Sequence, residues 1–93
     1  MIVSFRDKET ERFWRSSRSR RLPAELHRRA FAKLGILNAA ITLENLRVPP
    51  GNQLENLRGD RAGQHSIRIN NQYRVFFVWR QGNAFDVEVA DYH

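Results

Sequence analysis

The stretch LRGDRAGQHSIRINNQYRVFFVWRQGNAFDVEVADYH, residues 57–93, decides how this chain folds. Within it Ile67 and Ile69 alternate with Ser66, Arg68 and Asn70, and Phe85, Val87 and Val89 alternate with Asp86, Glu88 and Ala90. Strand side chains point to opposite faces with period two, so both runs read as half-buried strands. Residues 73–79, from Tyr73 to Trp79, are more continuously apolar and read as the strand between them. Asn70-Asn71 and Gln81-Gly82-Asn83 supply the tight turns, so three consecutive strands make an antiparallel meander. Leu54 to Arg58 reads as a preceding strand, and Gly59-Asp60-Arg61-Ala62-Gly63 as the turn after it. The stretch closes on Asp91-Tyr92-His93, an ionisable ring beside a phenol and an acid.

Upstream, the period changes. Leu26, Ala30, Leu34, Leu37 and Ile41 recur at three- and four-residue spacings, with Phe31 widening the stripe, which predicts one long helix from Pro23 to Ala40. Pro23 suits its first position. Gly35 inside it marks close packing or a kink, and His27 reads as a solvated surface residue. Before it, Ile2-Val3-Ser4-Phe5 reads as a first strand. Asp7 is an N-cap for a short helix whose Phe13 and Trp14 face the core. Residues 16–21, a run of Ser and Arg, read as a linker or turn able to touch phosphate. Pro49-Pro50-Gly51-Asn52 separates a helical first half from a stranded second half. An α+β fold follows: an N-terminal strand and two helices, then a meander, with the long helix covering one sheet face. The other face is left to carry Arg side chains and the chain end.

At 93 residues the chain reads as one domain, residues 1–93, with 41% hydrophobic content ordinary for a globular fold. No cysteine is present, which excludes disulfides and thiolate metal sites. Neither a signal peptide nor an apolar run of about 20 residues appears, so a cytoplasmic location away from the membrane is expected. Sixteen Lys and Arg face ten Asp and Glu, for a net charge of +6, and all the basic residues but Lys8 and Lys33 are arginine. A small domain with a pI near 11.0 reads as a nucleic-acid or nucleoprotein binder. Arg adds a planar fork matched to phosphate.

Three histidines (His27, His65, His93) show no metal-ligand spacing, and neither a nucleophile elbow nor a phosphate-cradling loop occurs, so no metal or cofactor is expected. The remaining groups suit phosphodiester chemistry. A 2′-hydroxyl attacking its own phosphorus needs a base, an acid for the 5′-oxygen and cations for the phosphorane. His93 titrates in the right range as base or acid. Asp91 is placed to orient it, and Tyr92 to donate a proton or stack on a base. Arg58, Arg61, Arg68 and Arg74 are phosphate clamps.

Taken in order, residues 57–63, Ser66-Ile67-Arg68-Ile69-Asn70, Tyr73-Arg74-Val75 and the closing Val87-Glu88-Val89-Ala90-Asp91-Tyr92-His93 resemble the HigB branch of the RelE/ParE toxin superfamily. Ile2-Val3-Ser4-Phe5 and the Leu43, Arg47 to Asn52 segment extend the likeness over nearly the whole length. The resemblance implies a RelE-like microbial ribonuclease-type fold and a metal-independent, ribosome-dependent endoribonuclease that cleaves translated mRNA in the decoding site and arrests growth. It implies that Arg74 stabilises the transition-state phosphate and that Asp91, Tyr92 and His93 form a C-terminal catalytic group. Arg58 falls where relatives carry a basic residue. Some relatives have His where this chain has Glu55, which leaves a carboxylate base or a surface residue at that position. The implied partners are a helix-turn-helix, HigA-like antitoxin, mRNA and the small ribosomal subunit, with operator DNA reached only through the antitoxin. Two alternatives remain at this level: a non-enzymatic, ParE-like inhibitor of DNA gyrase, and an inactive RNA- or ribosome-binding module.

Overall fold

The computed structural model describes residues 1–92; the predicted site residue His93 lies outside the described residues. The element order is α1 (Lys8–Ser16), α2 (His27–Ala39), β1 (Glu55–Asn56), β2 (His65–Arg68), β3 (Tyr73–Arg80) and β4 (Asn83–Asp91), with single 3-10 turns between several of them. The strands form one antiparallel sheet in the order β1-β2-β3-β4, the expected meander. The α+β architecture is as the alternation and the helical stripe required.

Register sorts the side chains. Ile67 faces Val75, His65 faces Phe77, and Val75 faces Val89. These residues, with Val87, share the face that packs on Phe13, Leu34 and Leu37 of the helices. Phe13, Leu34, Leu37, Ile67, Val75, Phe77 and Val87 are essentially inaccessible, and each contributes about 1.5–3 kcal/mol through burial. The opposite face carries Glu55, Ser66, Phe76 and Glu88 in one row and Arg68, Arg74 and Ala90 in the next. Among the described residues no α-helix packs on these rows; Arg61, Tyr92 and the Gln53 backbone lie over them instead.

Local chemistry sets the boundaries. Asp7 accepts from the Thr10 amide at 2.8 Å and starts α1, and Ser17 at φ 63° ends it. Trp14 stacks on Phe31 with centroids 5.1 Å apart, joining α1 to α2. A type I′-like turn at Gln81 and Gly82, both with positive φ (51° and 78°), joins β3 to β4. A larger residue at Gly82 would be strained by its φ of 78° and would bring a Cβ within a tight 3.3 Å of the Ile41 carbonyl.

Several local expectations are sharpened or corrected. Residues 2–5 make two isolated parallel bridges to β4, at Ile2–Ala84 and Phe5–Val87, and the ladder is interrupted between them at Asp86, which has a φ of 52° and donates its amide to the Ser4 hydroxyl. The strand before the Gly59 turn is just Glu55–Asn56, since Gln53 has a left-handed backbone and the 3-10 turn Gly59–Arg61 follows closely. The long helix begins with a 3-10 turn at Ala24–Leu26 and stops at Ala39, and the Asn45 side chain takes the amides of Ile41 and Thr42, leaving Ile41 exposed. A Cβ on Gly35 would meet nothing within 4 Å, so that glycine marks no close packing. His27 is not a solvated residue: its Nε2 lies 2.9 Å from the Leu22 carbonyl and its ring packs on Phe13. The Ser/Arg run is likewise tied down, with the Ser19 hydroxyl and Arg20 amide both donating to Glu9 and Arg21 pairing with Asp7 at 3.0 Å.

Candidate active site on the open sheet face

Arg74 sits in the middle of the sheet face away from the helices and is only 4% exposed, an unusual position for a guanidinium. It is tolerated because its donors are matched. Nε donates to the Ser66 hydroxyl at 2.7 Å, Nη2 donates to the Gln53 carbonyl, and Nη1 lies 3.5 Å from the Glu55 carboxylate. Burial lowers its pKa, with Glu55 and Tyr92 opposing that shift. The group stays charged at neutral pH because an arginine starts so far above it.

Tyr92 closes the group from the chain end. Its hydroxyl donates to Glu55 Oε2 at 2.9 Å, its ring stacks on Phe76 with centroids 6.3 Å apart, and the Arg74 guanidinium lies 5.3 Å from the ring centroid. The hydrogen bond and negative charge of Glu55 raise the phenol pKa, so it is a protonated donor at neutral pH. Glu55 therefore bridges the cation and the phenol, about two-fifths exposed and within reach of an incoming ligand. Sequence position alone does not suggest this bridge, because 37 residues separate Glu55 from Tyr92.

The other predicted residues take different places. Asp91 pairs in register with Tyr73, so strand alternation turns it to the helix face while Ala90 stays with Arg74. There it accepts from Gln72 Nε2 at 2.9 Å and borders a cavity of about 160 Å³ with Phe13, Leu22 and Tyr73, away from Arg74. Arg68 is the register partner of Arg74 and bonds to Asn71. Arg61 lies over Phe76, its guanidinium carbon 3.8 Å from the ring centroid, and pairs with Glu88 at 3.3 Å, so it is already engaged within the protein. Arg58 is exposed beside the Gly59–Arg61 turn. Among the described residues, no three His, Asp or Glu side chains group to hold a metal. No helix among them is long and apolar enough to cross a membrane.

Sequence reasoning missed Ser66, Gln53 and Phe76. Ser66 and Phe76 were legible in principle, because they share the parity of Arg74 on neighbouring strands. Gln53 contributes only a backbone carbonyl, which no side-chain pattern reveals.

Comparison with known proteins gives the family and the fold. The family model for the RelE-like toxin of the type II toxin–antitoxin system HigB matches residues 3–93. Toxin HigB-1 of Vibrio cholerae serotype O1 is 42% identical over 87 residues, covering 92% of each chain. An uncharacterized protein of Haemophilus influenzae is 34% identical over 81 residues, covering 86% of this chain and 80% of its own. Among solved structures, the YoeB–YefM complex from Staphylococcus aureus aligns with a TM-score of 0.62 at 12% identity, over all of this chain and 98% of that one. A heterotetrameric YoeB–YefM complex from the same organism aligns at 0.60 and 14% identity. At such identities the structural likeness speaks to the fold, which is RelE-like.

Proposed function

The chain belongs to the RelE-like HigB toxins of type II toxin–antitoxin systems, and from that premise we propose that it is a ribosome-dependent endoribonuclease acting on translated mRNA. The observation that carries this reading is the buried Arg74 guanidinium, aimed at an open face between a carboxylate and a protonated phenol. In the proposed reaction the ribose 2′-oxygen bonds to phosphorus and the bond from phosphorus to the 5′-oxygen breaks. The 2′-hydroxyl proton passes to Glu55, and the leaving oxygen takes a proton from His93, next in the chain to Tyr92. Arg74 meets the charge that grows on the non-bridging oxygens, and Tyr92 donates a hydrogen bond and presents its ring to a base. Asp91 acts by orienting His93. Arg58 and Arg68 hold flanking phosphates; Arg61 assists from its seat on Phe76. The chemistry uses side chains for every proton and charge, without a metal.

Ribosome dependence fits a site laid on a sheet face rather than in a cleft, since the alignment of the RNA strand must then come from a second surface. That surface is the small ribosomal subunit, which makes the protein's place of action cytoplasmic. Its neutralising partner is a HigA-like antitoxin with a helix-turn-helix domain, through which the complex reaches operator DNA. The solved YoeB structures, described as complexes with YefM, support a toxin that works opposite a partner.

The test is brief induction in cells followed by primer extension across expressed messages. New 5′ ends within coding frames are expected, and Arg74→Ala removes them while leaving a folded protein. Intact mRNA with inhibited DNA supercoiling would overturn the reading in favour of a gyrase inhibitor. Ribosome binding without any cleavage would overturn it in favour of an inactive binding module.

A further inference from the structure

Arg74 is aimed by neutral acceptors that the cleavage step does not consume. Ser66 takes Nε, and the Gln53 carbonyl takes Nη2, so Nη1 is left to point toward Glu55 and the open face. A guanidinium is planar, and fixing two of its nitrogens fixes the direction of the third. Gln53 can offer its carbonyl this way because it occupies the left-handed region, at φ 44°. The preceding residue, Asn52, is fully inaccessible. Its Nδ2 donates to the carbonyls of Leu46 at 3.2 Å and Val48 at 3.3 Å, and its Oδ1 accepts from the Lys33 ammonium of α2.

Lys33 is oddly placed for an ordinary surface lysine. It is half-buried and bonded to an amide rather than a carboxylate. Burial, followed by the nearby Arg29 and Arg68, pulls its pKa down. Arg29 itself reaches the Ile69 carbonyl at 3.4 Å, another neutral acceptor. An ammonium kept beside two cations does little for itself electrostatically. What its bond accomplishes is to hold Asn52 in place.

We infer that Lys33 and Asn52 are positioning residues for Arg74, holding the Gln53 carbonyl against Nη2 and thereby directing Nη1 at the substrate phosphate. The chain of contacts runs from α2, through the Asn52–Gln53 turn, to the sheet face. It gives the helix layer a part in aiming Arg74. The inference rests on the phosphate-binding role proposed for Arg74; the ordering of the guanidinium does not.

Lys33→Met tests it, keeping the aliphatic stem and removing the ammonium. The variant also relieves repulsion from Arg29 and Arg68, so its thermal midpoint is expected to match the wild type. Single-turnover cleavage on programmed ribosomes, titrated with toxin, separates rate from affinity. Side-chain nitrogen NMR of Arg74 reports how fast the guanidinium rotates. The expected result is a saturating rate about ten- to a hundredfold lower, unchanged affinity, faster rotation of Arg74, and recovery of both readouts in Lys33→Arg. Wild-type rate and rotation in Lys33→Met overturn the inference. So does a loss confined to affinity, which makes Lys33 an RNA contact instead. If Lys33→Met lowers the thermal midpoint, Lys33→Gln, which keeps a neutral donor, carries the same comparison. If the wild type itself fails to cleave, the proposed function falls and Arg74 rotation alone decides the inference.

Discussion

Arg74 shows why an arginine rather than a lysine occupies this position. Its three nitrogens serve Ser66, Gln53 and Glu55 in different directions, which a point ammonium cannot do. Arg74→Lys is therefore expected to lower the cleavage rate by about 10²–10³, the scale of losing a transition-state donor. It also costs about 1–3 kcal/mol in chemical denaturation, because buried acceptors lose their partner. Tyr92 offers a second measurement. Glu55, through its hydrogen bond and then its charge, holds the phenol pKa above the ordinary 10.0. A raised pKa in the folded state means that this interaction contributes stability below the unfolded value and loses it as pH rises through the folded one. Alkaline titration of tyrosinate absorbance, taken as wild type minus Tyr92→Phe, should show ionisation above pH 10.0, and Glu55→Gln should move it back toward that value. At this scale the sequence supplied the residue types of the site, but not the contact of Glu55 with Tyr92.

Among the elements, α1 is set by its first residues. Asp7 caps the helix through Thr10 and pairs with Arg21, so one side chain holds both the helix and the Ser/Arg segment that follows it. Asp7→Ala is expected to cost about 1 kcal/mol, read as a lower midpoint in urea. The same residue gives a pH signature. Burial raises its pKa, but the Thr10 hydrogen bonds and Arg21 outweigh that, and the net shift is below the ordinary 3.8. Its contribution to stability is thus full above pH 3.8 and lost as pH falls through the depressed value, so Asp7→Ala should flatten the acid limb of a stability–pH curve. The helices and the three strands β2, β3 and β4 were legible from periodicity and turn residues. The two-residue β1 and the isolated bridges at residues 2–5 were not, because a side-chain pattern does not report where a backbone partner is missing.

Across the whole molecule, charge is unevenly committed. Arg12, Arg15, Arg21, Arg47, Arg61 and Arg74 pair with carboxylates, whereas the structure shows no carboxylate ion pair for Arg58 or Arg68 among the described residues. Cations of this kind, exposed at Arg58 and half-buried at Arg68, bind RNA by releasing counterions, so ribosome association should weaken steeply with salt. Arg58→Ala and Arg68→Ala should each reduce the slope of log affinity against log salt by about 1. Arg47→Ala, whose cation already pairs with Glu44 at 2.8 Å, should change it less. Filter binding across a salt series checks all three.

The sequence by itself determined the meander, the helix that covers one of its faces, and the basic character of what remained, because all three follow from side-chain period and composition. It also carried the family likeness that the comparisons bear out. Only the tertiary structure decided which of Asp91 and Tyr92 reaches Arg74. A strand turns successive side chains to opposite faces, so Tyr92 stacks beside Arg74 on the open face while Asp91 is turned to the helices. Neighbours in a sequence become partners in a site only when the backbone geometry lets them share a side, and register, not adjacency, made that choice here.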